Sequence, residues 1–304
     1  MKPILVVLAA GMGSRYGSLK QMDRLGPQGE SIIDFSVFDA ARAGFGKVIF
    51  VLREEIVDDF YLLFANRYRS DIEVDHVVQR LSDVPPGVRI NPERSKPWGT
   101  GHAMLSAADK LNAPFAVING DDYYGSDAFR VMHDFLNSAD PDDLNTQSMV
   151  GYILNRTLSD HGSVSRGICD TDSDGYLTGV AERTHIAEKN GQIYFLDEKG
   201  IQHPLTGREV VSMNFWGFTP AILPAFRDLF MDFISSRGME LKSEFYIPYG
   251  VNLLVEKYKT RVKVLESQAK WFGVTYQEDK PVVKDNLARL FSEGQYPVDM
   301  FHES

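Results

Sequence analysis

The sequence predicts an α/β protein: a mixed, mostly parallel sheet flanked by helices, with a β-rich second half. Three observations carry that prediction. Through residue 140, short apolar runs alternate with amphipathic helical stretches, the β-α-β order of a doubly wound sheet. The first apolar run passes straight into a glycine-rich loop, and loops at the carboxyl ends of strands are where open α/β sheets bind ligands. Beyond residue 140 the apolar segments are short and separated by turn pairs such as Asp174-Gly175 and Asn190-Gly191, which read as hairpins.

The elements follow in order. Strand 3–9 leads through the glycine-rich loop to a helix over 31–43, where Ser31 and Asp34 make a capping-box pattern and Gly44 stops the run. Strand 47–52, a helix over 54–68 and strand 72–79 come next. Segment 80–98 carries four prolines and many charges and reads as irregular. A short helix near 101–111 precedes strand 114–119 and a helix over 126–137. The second half contributes strands at 148–154, 163–168, 175–181, 192–196 and 209–218, helices at 220–236 and 243–258, a strand at 261–267 and a last helix from 279. No linker composition interrupts the chain, so one domain over 1–304 is expected, with functional halves 1–140 and 141–304.

Composition narrows the partners. The chain has 304 residues and a net charge of −10 without any basic run, which argues against nucleic acid. There is no 18-residue apolar run and no signal-peptide pattern, so a soluble, cytoplasmic protein without a membrane partner is expected. Cys169 is the single cysteine, which excludes an internal disulfide, and nothing around it in sequence supplies an activating base.

The loop Leu8-Ala-Ala10-Gly11-Met-Gly13-Ser14-Arg15, followed by Lys20-Gln21, is the most informative segment. Gly11 and Gly13 let backbone approach a ligand closely. Successive N–H groups in such a turn make an anion-binding concavity, and Arg15 and Lys20 add positive charge beside it. The residues read as a polyphosphate site. Two other readings stay open: a dinucleotide loop, which needs a helix starting at the loop and an acid about 20 residues on, and a purely structural turn. Residues 14–30 show no helical period, and Arg53 follows the second strand where an acid would be needed. A P-loop consensus is absent.

Two further constellations bear chemistry. Strand 114–119 ends in Gly120-Asp121-Asp122, placing carboxylates at the sheet edge that carries the first loop; hard oxygen ligands there suit Mg²⁺ bridging phosphate oxygens. The alternative is an Asp-rich turn capping the next helix. Gly99-Thr100-Gly101 opens a helix, so backbone there can approach a planar base with N–H groups facing the cleft, or it is an ordinary loop-to-helix turn. His102, just after it, reads as a structural helix-start residue.

Leu8 to Arg15 with Lys20-Gln21 closely resembles the signature loop of nucleotidyltransferases with a GT-A-like Rossmann fold, which include the sugar-1-phosphate pyrophosphorylases. The resemblance implies that Leu8, Ala10, Gly11, Gly13, Ser14 and Arg15 hold the triphosphate and that Lys20 contacts phosphate near the reacting centre. The spacer before the lysine is short, more like that of cytidylyltransferases acting on phosphorylated alcohols. The Gly120-Asp121-Asp122 segment resembles the Gly-Asp-Asp or Gly-Asp-Asn of sugar nucleotidyltransferases, implying Asp121 as a metal ligand and Asp122 as a neighbouring polar contact. Gly99-Thr100-Gly101-His102-Ala103 is similar to the nucleoside-facing turn of the uridylyltransferases, with Gln79 implied against the base edge. For the acceptor the resemblance implies Gly162, Glu182, Arg183, Asn214 and Gly217. Lys270-Trp-Phe-Gly273 falls where relatives have Trp-x-Asp-x-Gly, so Gly273 stands in place of the second metal-binding aspartate. Asp279 is a candidate substitute, or else a plain helix N-cap.

The function implied is transfer of a nucleotidyl group from a nucleoside triphosphate, UTP favoured with CTP or dTTP close behind, to a sugar 1-phosphate, with Mg²⁺ as cofactor. The rival is a cytidylyltransferase for a phosphorylated alcohol such as phosphocholine. A rival of another class, motivated by Gly273, is a catalytically silent nucleotide-sensing or scaffolding relative.

Overall fold

Strand β1 (Ile4–Leu8) is buried along its whole length and pairs in parallel on both sides, with β2 (Lys47–Leu52) and with β4 (Phe115–Asn119). A strand covered on both faces needs apolar side chains at successive positions rather than alternate ones. Ile-Leu-Val-Val-Leu and Val48 to Leu52 supply them. The computed structural model describes residues 1–10, 24–64, 67–68, 72–274 and 276–300.

β3 (Glu73–Val78) extends the parallel set beyond β2. The second half adds β6 (Thr146–Ile153), β7 (Val164–Thr171), β8 (Leu177–Lys189), β9 (Gln192–Leu196), β10 (Gln202–Leu205), β11 (Val210–Phe218) and β12 (Arg261–Glu266). Among the described residues these form one eleven-stranded mixed sheet in the order β10-β9-β8-β7-β11-β4-β1-β2-β3, with β6 against β11 and β12 parallel to β6. β11 runs antiparallel to β4, and this is where the parallel half meets the hairpin half. A separate two-residue pairing joins β5 (Asp122–Tyr123) to β13 (Phe272–Gly273).

Helices cover both faces. α3 (Thr100–Ser106), α5 (Ile222–Arg237) and α6 (Ile247–Leu253) pack around Trp98, Phe226 and Phe245 on one side. α2 (Val57–Phe64) and α4 (Ser126–Ser138) pack around Phe50, Phe129 and Phe215 on the other, joined by one side of α1 (Ile32–Ala43). The other side of α1 meets α7 (Lys280–Ser292) in a smaller cluster built on Phe35, Leu287 and Tyr296. No helix among the described residues is long and apolar enough to cross a membrane.

The α/β architecture is as predicted, and the differences have local causes. The helix expected from 243 begins at Ile247, because Phe245 is held extended: its N–H donates to the Trp98 carbonyl (2.7 Å) and its own carbonyl accepts from Gly101 N–H (2.8 Å). It then runs on as a π-helical stretch, Leu254–Tyr258. β8 is longer than expected because it pairs with β7 and then with β9. β10, Gln202-His-Pro-Leu, has no strand pattern, and its proline is tolerated because the strand is an edge.

The proline-rich 80–98 segment is irregular yet anchored. Arg94 donates to the carbonyls of Lys96 (2.8 Å), Pro97 (3.0 Å) and Glu240 (2.7 Å) and to that of Ser243, while its guanidinium stacks 3.6 Å over Trp98. Its planar fork of donors suits this better than a lysine ammonium would.

Two tests follow from the packing. A methyl carbon on Gly99 (φ +97°) would stand 2.8 Å from the Phe245 carbonyl oxygen, whereas one on Gly87 (φ +84°) would meet nothing within 4 Å. Gly87→Ala should cost about 1 kcal/mol from backbone strain. Gly99→Ala should cost about 2–4 kcal/mol, strain plus overpacking; equal losses in urea unfolding would contradict the packing account. The second test concerns Asp39, buried under α1, where it accepts from Tyr296 OH (2.7 Å) and pairs with Arg42 (2.7 Å). Burial pushes its carboxyl up to about 7 despite those partners. The folded state therefore binds a proton that the unfolded state has released between about pH 4 and about pH 7, and stability drains away as pH rises through that window. Asp39→Asn should gain on the wild type across it, by at most about 4 kcal/mol; a constant difference between pH 4.5 and 7.5 would refute the assignment.

Candidate active site

β2 and β3 extend the sheet on one side of β1 and β4 on the other, so the strand order reverses between β1 and β4. Open α/β sheets bind ligands outside the carboxyl ends of strands at such a point. Leu8 and Asn119 stand in register there, and Gly120 N–H donates to Leu8 O (3.0 Å). Leu8 and Gly120 are thus brought side by side, with Asp121 next in the chain. Gly11, Gly13, Ser14, Arg15 and Lys20 lie outside the described residues.

Asp122 is tied to this end of the strands. Its Oδ2 accepts from Asn119 Nδ2 (2.9 Å) and Tyr124 OH (3.3 Å), and Tyr124 OH also lies 2.8 Å from the Met213 carbonyl at the start of the β11 bulge. Burial, then the neighbouring Asp121 charge, pushes the Asp122 carboxyl up to about 7.

Gly273 shows how these carboxylates suit a divalent cation. It stands directly opposite Asp122 in the β5–β13 pair, and a methyl carbon on it would lie 2.7 Å from Asp122 Oδ1. The Asp122 carboxylate thus fills the space that a side chain at 273 would take, and Oδ1 accepts no hydrogen bond among the described residues. Two adjacent carboxylates, one with an open oxygen, fit a hard cation that takes its remaining ligands from phosphate and water. No group of three or more His, Cys, Asp or Glu side chains that could hold a metal occurs among the described residues.

Asp279 is engaged differently. Its Oδ1 accepts from Ser159 Oγ (2.9 Å) and its Oδ2 from Tyr276 N–H (2.7 Å), the back-bond of a capping box on the Gln277–Asp279 turn that leads into α7.

Gln79 braces the Gly99 turn. Its Nε2 donates to Gly99 O (3.3 Å) and to His102 Nδ1 (2.9 Å), while His102 Nε2 donates to Asp83 O (2.9 Å). Burial holds the imidazole below its ordinary pKa, so His102 is a neutral packing residue. At the Gly99-Thr100-Gly101 turn, the expectation that glycines and N–H groups face the cleft is corrected for the two glycines and for Gly101 N–H. Phe245 occupies the space before both glycines, Gly101 N–H donates to its carbonyl, and Thr100 Oγ1 accepts from Ile247 N–H (3.0 Å). The turn is shaped to dock the 245–247 segment.

The acceptor residues fall into separate places. Glu182 lies opposite Gly167 on β8, its carboxyl raised by desolvation against the opposing Arg166 charge. Adjacent strand residues face opposite ways, and Arg183 lies 4.7 Å from the Phe195 ring rather than beside Glu182. Asn214 sits at the β11 bulge with φ +60°, its Oδ1 accepting from Trp216 Nε1 (3.1 Å). Left-handed residues at bulges re-aim side chains and cluster near functional sites. Gly162 and Gly217 are glycines for packing. A methyl carbon on Gly162 would meet Tyr276 OH at 2.6 Å, and one on Gly217 would meet Met132 Sδ at 2.3 Å beneath α4. The expected acceptor contact at Gly217 is therefore corrected: it faces the core. Cys169 is buried, and burial pushes its thiol up to about 12, which leaves it inert.

Sequence reading missed Arg166. It is 8% exposed, donating to Thr157 Oγ1 (3.1 Å) and Ser165 O (2.8 Å), 4.8 Å over the Trp271 ring. Burial lowers its pKa to about 10 while Asp122, Glu182 and Asp279 sustain its charge. An arginine inside a short strand with Val164, Ile168 and Cys169 was the available signal.

Neither a protein-family model nor a curated protein sequence matches the chain. Solved structures do. A UDP-glucose pyrophosphorylase from Acinetobacter baumanii is 14% identical, with 97% of this chain and 99% of that one covered at a TM-score of 0.58. An inositol-1-phosphate CTP transferase from T. maritima is 10% identical, with 94% and 98% covered and a TM-score of 0.58. A protein described as a glucose-1-phosphate thymidylyltransferase from Bacillus anthracis, solved in complex with a sucrose, is 12% identical, with 93% and 95% covered and a TM-score of 0.63. At these identities the likeness is one of fold alone: the chain shares with these solved structures a Rossmann-like mixed sheet flanked by helices.

Proposed function

We propose that the protein transfers a nucleotidyl group from a nucleoside triphosphate to a sugar 1-phosphate, giving a nucleotide sugar and pyrophosphate. The observation that carries the reading is the meeting, at the β1–β4 switch point, of the strand that enters the glycine-rich loop and the strand that ends in Asp121-Asp122. An oxygen of the acceptor phosphate attacks the α-phosphorus in line. The bond from that phosphorus to the bridging oxygen breaks, and pyrophosphate leaves with its electron pair. Loop backbone at 8–14 and Arg15 hold the β- and γ-phosphates, and Lys20 stabilises charge at the α-phosphate. Asp121 and Asp122 would hold Mg²⁺, which when bound neutralises phosphate charge. This assigns the second carboxylate to Asp122 and leaves Asp279 as a cap.

Gln79 reads the base. With Nε2 committed to Gly99 and His102, its Oε1 is left to accept an N–H from the base edge, which suits the N3–H of uracil or thymine and supports UTP as donor. Glu182 and Asn214 face the acceptor. A second reading, a cytidylyltransferase for a phosphorylated cationic alcohol such as phosphocholine, draws on Tyr246. This half-exposed ring donates from its hydroxyl to Glu244 and feels the Glu182 charge, an aromatic-and-carboxylate pairing suited to a cation.

Pyrophosphate release from four triphosphates against sugar 1-phosphates and phosphocholine separates the readings. UTP with a sugar 1-phosphate is the expected pair. A preference for ATP or GTP by about tenfold, ~1.4 kcal/mol, would overturn the base assignment, and no release with any pair would leave the silent relative. Arg15→Ala and Lys20→Ala should each lose roughly 10²–10³ in turnover, about 2–4 kcal/mol, with melting temperature unchanged. Asp121→Asn should be inactive at any Mg²⁺ concentration, and Asp122→Asn should need more Mg²⁺. Asp279→Asn should keep the wild-type Mg²⁺ curve and melt lower by about 1 kcal/mol in stability; a shifted Mg²⁺ curve for Asp279→Asn and not for Asp122→Asn would reverse the assignment.

A further inference from the structure

The stretch of β8 that carries Glu182 is only partly fixed by its own sheet. Against β7 its ladder runs unbroken from Gly179 to Arg183, with a register shift at each end, and His185 in the second shift is left-handed (φ +54°). On the other edge of β8, β9 joins only at Ala187 to Lys189, so among the described residues no strand pairs there with Val180 or Glu182. Backbone N–H and carbonyl groups left without a ladder need partners from elsewhere.

Asn252, on α6, supplies them. The N–H and carbonyl of one strand residue point to the same side, and at Val180 both meet the Asn252 amide. Asn252 Oδ1 accepts from Val180 N–H (2.8 Å), and Nδ2 donates to Val180 O (2.7 Å). A side-chain amide offers an acceptor and donors together, so it does for Val180 what a neighbouring strand would do. Residues 180 and 182 share one face of β8. That face looks onto Gly167, where a methyl carbon would stand 2.8 Å from Val180 Cγ1 and 3.6 Å from Glu182 Oε2. Holding Val180 therefore sets the direction from which the Glu182 side chain starts. The other end of α6 is anchored too. Thr100 Oγ1 accepts from Ile247 N–H (3.0 Å), and Phe245 is bonded to Trp98 and Gly101. Gly250 packs so closely that a methyl carbon on it would lie 2.6 Å from the Phe226 ring. The helix thus reaches from the turn braced by Gln79 to the strand that carries Glu182.

We propose that Asn252 is a positioning residue for the acceptor: its clamp on Val180 holds β8 so that Glu182 meets the sugar 1-phosphate in a fixed geometry. The proposal rests on the transfer reading above, in which Glu182 faces the acceptor. Asn252 acts through backbone, so its loss should be felt by the acceptor and not by the nucleoside triphosphate.

The test is steady-state pyrophosphate release with UTP and glucose 1-phosphate, or with the pair that the wild type uses fastest. Asn252→Ala should raise KM for the sugar 1-phosphate about tenfold while kcat and KM for the triphosphate stay within about twofold, the pattern of lost acceptor binding. Asn252→Asp keeps an acceptor for Val180 N–H and sets a carboxylate oxygen against the Val180 carbonyl. It should raise the same KM about threefold or more, and it replaces Asn252→Ala if that variant melts below the assay temperature. Glu182→Gln should raise the acceptor KM as well. In the double variant Glu182→Gln/Asn252→Ala the two effects should fall short of multiplying, because both act through one contact. An unchanged acceptor KM, equal rises in both KM values, or effects that multiply in the double variant would overturn the proposal. No release by the wild type with any pair would sink the transfer reading and this proposal together, an outcome distinct from wild-type release with the Asn252 variants unchanged.

Discussion

The parallel pairing of β4 with β1, on the side away from β2 and β3, is the constraint on which the rest depends. It makes β1 a central strand covered on both faces, which is why the strand is apolar at each position. It also brings Asn119, Gly120 and Asp121 to the end of β1 and leaves the far side of β4 free to receive β11 antiparallel. The bulge in β11 begins where that strand outruns β4, and Tyr124 bridges the two by contacting Met213 and Asp122. Sheet, switch point and acidic corner are consequences of one register.

Around that corner the chain uses ionisable groups to hold irregular backbone. Arg94 gathers carbonyls from the 96–97 stretch and from 240–243, Arg166 gathers those of Thr157 and Ser165, and Asp34 takes the N–H of Ser31 (2.6 Å) and the hydroxyl of Tyr68 (2.9 Å). Burying such groups is costly unless their hydrogen-bonding capacity is met. Arg94 is met by backbone oxygens, since segments without a ladder leave carbonyls that need donors. Arg166 is met by Thr157 and Ser165, with the charges of Asp122, Glu182 and Asp279 around it.

The glycines show how far local pattern reaches. Gly99, Gly101, Gly162 and Gly217 read from sequence as close approaches to a ligand, and each is a close approach, but to Phe245, to Tyr276 or to Met132. A sequence window records that a side chain is not tolerated and is silent about what occupies the space. Gly273 is the informative exception. Alone it reads as a lost carboxylate, and paired with Asp122 it reads as a position where a carboxylate from the neighbouring strand already stands.

What the sequence determined by itself was whatever repeats within a few residues: the strand and helix periods, the Ser31–Asp34 cap, the turn pairs of the hairpins, and the glycine-rich passage out of β1. Those signals are local because side-chain period and backbone capping are local. Tertiary structure alone decided that Asp122 faces Gly273, that Asp279 is held by Ser159, and that Arg183 turns to Phe195 while Arg166 turns to Trp271. Each joins residues from different elements, most of them far apart in the chain. The reason is physical: once strands are paired, register sets which face a side chain takes and what it meets there, and register comes from the packing of the whole sheet.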